Sequence, residues 1–107
     1  MLQEGASIIG YLTTVGRVSG RPHRVELRLV YYRGRFYASR RDAASDWCRN
    51  LIKNPRVTVQ IQEEEVPAIA RLVDDEELVS RISSLKYQDE RALRRRVIVE
   101  IVPTDTQ

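Results

Sequence analysis

From Arg24 the chain alternates, with Val25, Leu27, Leu29 and Tyr31 on one side and Arg24, Glu26, Arg28 and Val30 on the other. A period of two belongs to a strand with one face on a core and the other in water. Arg33-Gly34 offers a turn, and Phe36 to Ser39 returns as a second arm, so the stretch predicts a hairpin. A second hairpin follows the same logic. Val57, Val59 and Ile61 alternate with polar residues, the three glutamates 63–65 make the turn, and Val66 to Val73 comes back with Pro67 near its start.

The rest of the chain fits around these hairpins. Residues 7–15, SIIGYLTTV, are rich in β-branched and aromatic residues and read as a strand stopping at Gly16. GRVSGRP, residues 16–22, has two glycines and a proline and reads as a loop. Ser45 is placed to cap a helix with Asp46 in its first turn and Trp47, Cys48, Leu51 and Ile52 at helical spacing, ended by Asn54-Pro55. Asp74 with Glu77 resembles a capping box for a second helix whose apolar face is Leu78, Val79, Ile82 and Leu85. VIVEIV, residues 97–102, reads as a strand buried on both faces. About six strands interrupted by two to three helices predict a mainly β, α+β protein: a barrel or curled antiparallel sheet in one domain over residues 1–107.

At this length a partner subunit would help bury apolar surface, so a homodimer is expected. No apolar run approaches the roughly 18–20 residues of a membrane span, and the N-terminus lacks the basic and small-residue signature of a signal peptide, so a cytoplasmic location without a membrane span is expected. With Cys48 the sole cysteine and His23 the sole histidine, neither a disulfide nor a Cys/His zinc site can form within one chain, and no metal is expected. Residues 1–41 carry eight arginines against Glu4 and Glu26, whereas residues 42–90 carry eleven acids against six bases. The N-terminal part is therefore where an anion would sit.

No Ser-His-Asp set stands out, and the clustered carboxylates, 63–65 and 74–77, fall at a turn and a helix start. Any redox chemistry would come from a cofactor. The loop from Leu12 to Arg24, LTTVGRVSGRPHR, offers a place for one. Gly16 and Gly20 let successive N–H groups point into a concavity, Ser19 adds a hydroxyl, and Arg17, Arg21, His23 and Arg24 add charge, the ingredients of a phosphate-binding nest. The same composition also serves as an ordinary hairpin connection.

LTTVGRVSGRPHR, then Tyr37-Ala38-Ser39-Arg40, then Asp46-Trp47-Cys48-Arg49-Asn50-Leu51 with Asn54-Pro55, and finally Tyr87-Gln88 together resemble the deazaflavin-dependent nitroreductase family. The likeness runs from about Tyr11 to Pro103. It implies a flavin-binding split β-barrel and an oxidoreductase that uses the 5-deazaflavin coenzyme F420, whose tail carries a phosphate and a glutamate chain. It also implies roles. Arg17, Val18 and Ser19 would meet the phosphate, His23, Arg24, Val25, Glu26, Leu27 and Arg28 would run along the cofactor, and Arg40 would reach a tail anion. Tyr37, Ala38 and Ser39 would line the ring, Asp46, Trp47, Cys48, Arg49 and Asn50 would flank it, and Tyr87 would close over the substrate. Tyr87 and Ser39 would be the proton donors for a small electron-poor substrate. Val18 stands where the family usually has lysine, His23 where it often has arginine, and Glu90 where it has a second tyrosine.

Three other readings remain at the level of sequence. Flavin mononucleotide (FMN) could replace the deazaflavin, or the barrel could bind a cofactor or tetrapyrrole without turning over. A basic small barrel with Tyr31, Tyr32, Phe36 and Tyr37 beside Arg33 and Arg35 could also meet nucleic acid, but these aromatics are more simply core and cofactor pocket, so nucleic acid is not the expected partner.

Overall fold

The computed structural model describes residues 3–40, 43–86 and 97–104. Along the chain run β1 (Ser7–Val15), β2 (Pro22–Tyr32), β3 (Arg35–Arg40), α1 (Asp46–Lys53), β4 (Arg56–Ile61), β5 (Glu64–Leu72), α2 (Glu76–Lys86) and β6 (Val97–Pro103). All strand pairs are antiparallel, in the order β1-β2-β3-β6-β5-β4, and β4 pairs back onto β1 to close a barrel. This is the mainly β architecture that the alternating segments predict, with two helices among the described residues.

The turns follow the backbone chemistry. Arg33 (φ 51°) and Gly34 (φ 78°) both take left-handed angles, which a two-residue connection between right-twisted strands requires. In the second hairpin only Gln62 and Glu63 turn, with Gln62 at φ 58°, while Glu64 and Glu65 already pair with Ile61 and Gln60. The glutamate run is thus mostly strand rather than turn.

Inside the barrel lie Leu12, Leu29, Phe36, Ala38, Val59, Ala68, Ala70, Val99 and Ile101, and α1 adds Trp47, Cys48 and Leu51 to the same core. At about 100° of rotation per residue these three fill the buried side of an eight-residue helix, so Ile52, expected on that face, stands 55% exposed. A second cluster lies outside the barrel, where Ile82 of α2 packs on Val30, Tyr37 and Ile98, supported by Leu78, Val79 and Leu85. Placing α2 there buries both faces of β6. It also corrects the reading of Val30, which sits on the polar side of its strand and is nonetheless fully buried because a helix covers that end.

Both helix starts differ in detail from the sequence reading. Ser45 occupies the cap position of α1 in extended geometry, but its hydroxyl makes no capping bond. For α2 the cap is Asp75 rather than Asp74: its Oδ1 accepts from the N–H groups of Glu77 at 3.0 Å and Leu78 at 3.3 Å. Among the described residues no helix is long and apolar enough to cross a membrane, and no cluster of His, Cys, Asp and Glu could hold a metal.

Candidate functional site

The loop between β1 and β2 folds on itself. The Gly16 N–H donates to the Arg21 carbonyl at 2.8 Å, the Gly20 N–H to the Gly16 carbonyl at 2.9 Å, and the Arg21 N–H to Ser19 Oγ at 3.1 Å. Gly20 turns the chain at φ 73°. Gly16 matters for a different reason, tight space: a Cβ there would come within 2.8 Å of Ser19 Oγ and 2.9 Å of His23 Nε2, which would have to shift. Between the two glycines, the N–H groups of Val18 and Ser19 meet no acceptor among the described residues.

Helix α1 forms the facing wall. Asn50, on its inner side and almost wholly buried, accepts at Oδ1 from the Arg17 N–H at 3.1 Å and the Arg17 guanidinium at 2.8 Å. Its Nδ2 donates to the buried Thr14 Oγ1 at 3.1 Å. The Arg17 guanidinium also reaches the Asp46 carbonyl at 3.4 Å and pairs with the Asp46 carboxylate at 3.3 Å. Gly16, Arg17, Val18, Ser19, His23, Asp46 and Asn50 together line a cleft of about 290 Å³. It offers unengaged backbone donors, a hydroxyl and a fixed guanidinium, a set that suits an oxyanion. The space kept open by Gly16 is part of that fit.

The other residues singled out in the sequence lie elsewhere. Arg24 stacks on the Tyr11 ring, 4.2 Å from its centroid, and donates to Gln60 Oε1 at 2.9 Å on the outside of the barrel. Glu26 and Arg28 follow it at alternate positions and are exposed, whereas Val25 and Leu27 pack against the core. Trp47 and Cys48 are core residues and Arg49 is exposed. Ala38 faces the barrel interior. Ser39 and the exposed Arg40 end β3, where the chain crosses to α1. The Ser39 hydroxyl is buried, and like that of Ser45 it has no partner among the described residues. Tyr87, like Glu90, lies outside the described residues.

Tyr37 belongs to a charged cluster that the sequence reading missed. Glu100, fully buried on the outer face of β6, accepts from the Tyr37 hydroxyl at 2.9 Å, the Arg35 guanidinium at 2.9 Å and Arg71 Nε at 2.8 Å. Burial alone would raise the carboxyl's pKa, but hydrogen bonds from Arg35 and Tyr37 and the charges of Arg71 and Arg35 outweigh it and hold the group below its ordinary range. Burial, reinforced by the bond to Glu100, pushes the Tyr37 hydroxyl up to about 12. A charged residue inside VIVEIV was the available signal. Thr14 gave a similar one, a polar residue sharing its strand face with Leu12.

No curated protein sequence matches this chain. Its fold is similar to that of a conserved hypothetical protein from Mycobacterium tuberculosis, with a TM-score of 0.77 and 23% identity over 94% of this chain and 76% of that one. It is similar to a domain-swapped dimer, with a TM-score of 0.71 and 24% identity over 87% of this chain and 78% of that one. An F420-H2 dependent reductase gives a TM-score of 0.69 and 23% identity over 87% of this chain and 92% of that one. At such identities the likeness is one of fold. The family model is more specific, because the model of the F420H(2)-dependent quinone reductases matches residues 2–98, the cleft included. The chain therefore belongs to the F420H(2)-dependent quinone reductase family and is an oxidoreductase that works with coenzyme F420.

Proposed function

We propose that the cleft between the β1–β2 loop and α1 holds the phosphate of F420 and that the protein reduces a quinone or another electron-poor small molecule. The observation that carries this reading is the pair of N–H groups at Val18 and Ser19, which meet no acceptor among the described residues, in the loop that lines the cleft. When bound, the coenzyme supplies hydride transfer, so the chain needs no nucleophile of its own. What the chain supplies is orientation. Val18 and Ser19 donate to the phosphate, Gly16 leaves it room, and Asn50 fixes the loop through Arg17.

The remaining roles extend the same reading. Arg40 faces an anionic group of the tail, with Arg24 joining it where the tail displaces Gln60, the backbone of Tyr37, Ala38 and Ser39 lies along the ring side, and Trp47 stiffens the helix that carries Asp46 and Asn50. The Ser39 hydroxyl, without a partner among the described residues, supports its part as a proton donor beside Tyr87. We extend the proposal to a cytoplasmic homodimer. The domain-swapped dimer among the fold neighbours and the exposed Ile9 on the outside of β1 support the second copy.

Fluorescence titration tests the site. F420 is expected to bind at micromolar concentration or below and FMN more weakly, with Ser19→Ala and Gly16→Ala each weakening F420. Absence of F420 binding overturns the reading, as does unchanged affinity in both variants.

A further inference from the structure

An anion cleft seldom includes a carboxylate, yet Asp46 lines this one with its side chain 81% exposed. Its charge cancels that of Arg17, with which it pairs at 3.3 Å. Counting His23 as neutral, the described residues of the lining therefore carry no formal net charge. The Arg17 guanidinium is already shared among Asn50 Oδ1, the Asp46 carbonyl and the Asp46 carboxylate. Val18 stands on the lip, 93% exposed, and brings an apolar group where a cation would add attraction. Arg21, Arg24 and Arg49 are exposed but do not line the cleft, and Arg24 is engaged with Tyr11 and Gln60.

What the cleft offers an anion is thus mainly neutral: two backbone N–H groups and the Ser19 hydroxyl. Such donors serve a single negative charge well. A terminal phosphate carries about −1.5 to −2 near pH 7, because its second pKa is about 6, whereas a phosphate esterified on both sides carries a single charge. The additional charge would find no free cation among the described lining residues and would face the Asp46 carboxylate.

We infer that this cleft selects a singly charged phosphodiester over a doubly charged terminal phosphate, with Asp46 and Val18 as the residues that set the preference. The inference rests on the cleft being the phosphate site proposed above. It accounts for the choice of cofactor by the charge state of the tail rather than by the ring. A free-standing flavin phosphate would be disfavoured even if its ring fitted.

The test uses two deazaflavin probes with the same ring and polyol, one ending in a free phosphate and the other in its methyl phosphate ester. Both are titrated against the full chain at pH 7.5 and low salt, with intact F420 measured alongside. The ester is expected to bind the wild type roughly fivefold more tightly, the scale of one partly screened like-charge contact. Asp46→Asn is expected to bring the ratio close to one by strengthening the free phosphate. Val18→Lys, at an exposed position, moves it the same way, and thermal melts verify that both variants fold.

Equal binding of the two probes by the wild type overturns the inference. So does a preference that survives both substitutions. If neither probe binds while intact F420 does, the phosphate is not the anchor and the inference fails with the coenzyme assignment intact. If F420 itself fails to bind, the reading of the cleft falls first, and the inference with it.

Discussion

Asn50 Oδ1 receives two hydrogen bonds from Arg17, one from the backbone N–H at 3.1 Å and one from the guanidinium at 2.8 Å. One helix side chain thereby fixes both the path of the loop and the direction of its charge. Its amide nitrogen is anchored in turn on Thr14, so the loop is tied to the barrel through a chain of three residues, two of them buried. Replacing Asn50 with alanine leaves the Thr14 hydroxyl and the Arg17 N–H without partners, a loss of roughly 2–3 kcal/mol in stability. F420 affinity should fall with it. Asn50→Asp keeps the acceptor for Arg17 but loses the donor to Thr14 and adds a second carboxylate to the cleft, so F420 affinity should stay low. Urea midpoints and F420 titrations on the same preparations check this, and a stability loss with unchanged affinity would remove Asn50 from the proposed site.

Gly16→Ala separates the cleft from the fold. The new methyl would press on Ser19 Oγ and the His23 ring at the mouth of the loop. We expect about a tenfold loss in F420 affinity against a stability cost of about 1 kcal/mol, the lower end for overpacking, because loop side chains can yield where a core cannot. The ratio of the two effects is the readout.

Acid stability should depend on Glu100. Its folded pKa lies below the ordinary value of 4.5, so its contribution is fully present above that value and is lost as the pH falls through the lower folded one. Glu100→Gln leaves the half-exposed Arg35 and Arg71 guanidinium groups without their shared carboxylate and should cost about 1–2 kcal/mol at pH 7. Against the variant, the wild type's advantage in urea midpoint should shrink steadily as the pH is lowered below about 4.5.

At the alkaline end Tyr37 takes over. Its folded pKa of about 12 exceeds the ordinary 10, so the neutral hydroxyl stabilises the fold below pH 10 and that contribution disappears as the pH rises from 10 to 12. Tyr37→Phe should cost about 1–2 kcal/mol at neutral pH through the lost bond to the carboxylate and should flatten this part of the profile. Denaturation midpoints between pH 8 and about 11.5 would show the difference, with other tyrosines common to both proteins.

Much of this architecture was legible because period-two patterning reports directly on a half-buried sheet. Ser7–Val15 and the Arg33-Gly34 turn needed no tertiary information. Val30, Ile52 and Glu100 were another matter. Val30 is buried because a helix distant in sequence covers the outside of its strand, Ile52 is exposed because it lies past the edge of the α1 face that Trp47, Cys48 and Leu51 occupy, and Glu100 is tolerated because Arg35 and Arg71 approach from strands on either side. All three depend on which segments become neighbours. In the cleft, the loop and its glycines could be seen in the sequence, but Thr14 as the anchor of Asn50 could not, since the two are 36 residues apart. The carboxylate at the rim emerged only when α1 was laid against the loop.

The closed strand order has a consequence for how the molecule is made. β6 comes last of the six strands yet pairs with both β3 and β5. While a ribosome is still extending the chain, those two strands each present an unpaired edge, and the arginines destined for Glu100 have no carboxylate to meet. The unfinished sheet is open on both sides, the form most prone to pair with another nascent copy. Emergence of VIVEIV then removes both edges and satisfies both arginines in one docking event, which makes the final strand the step that ends the chain's exposure to its neighbours.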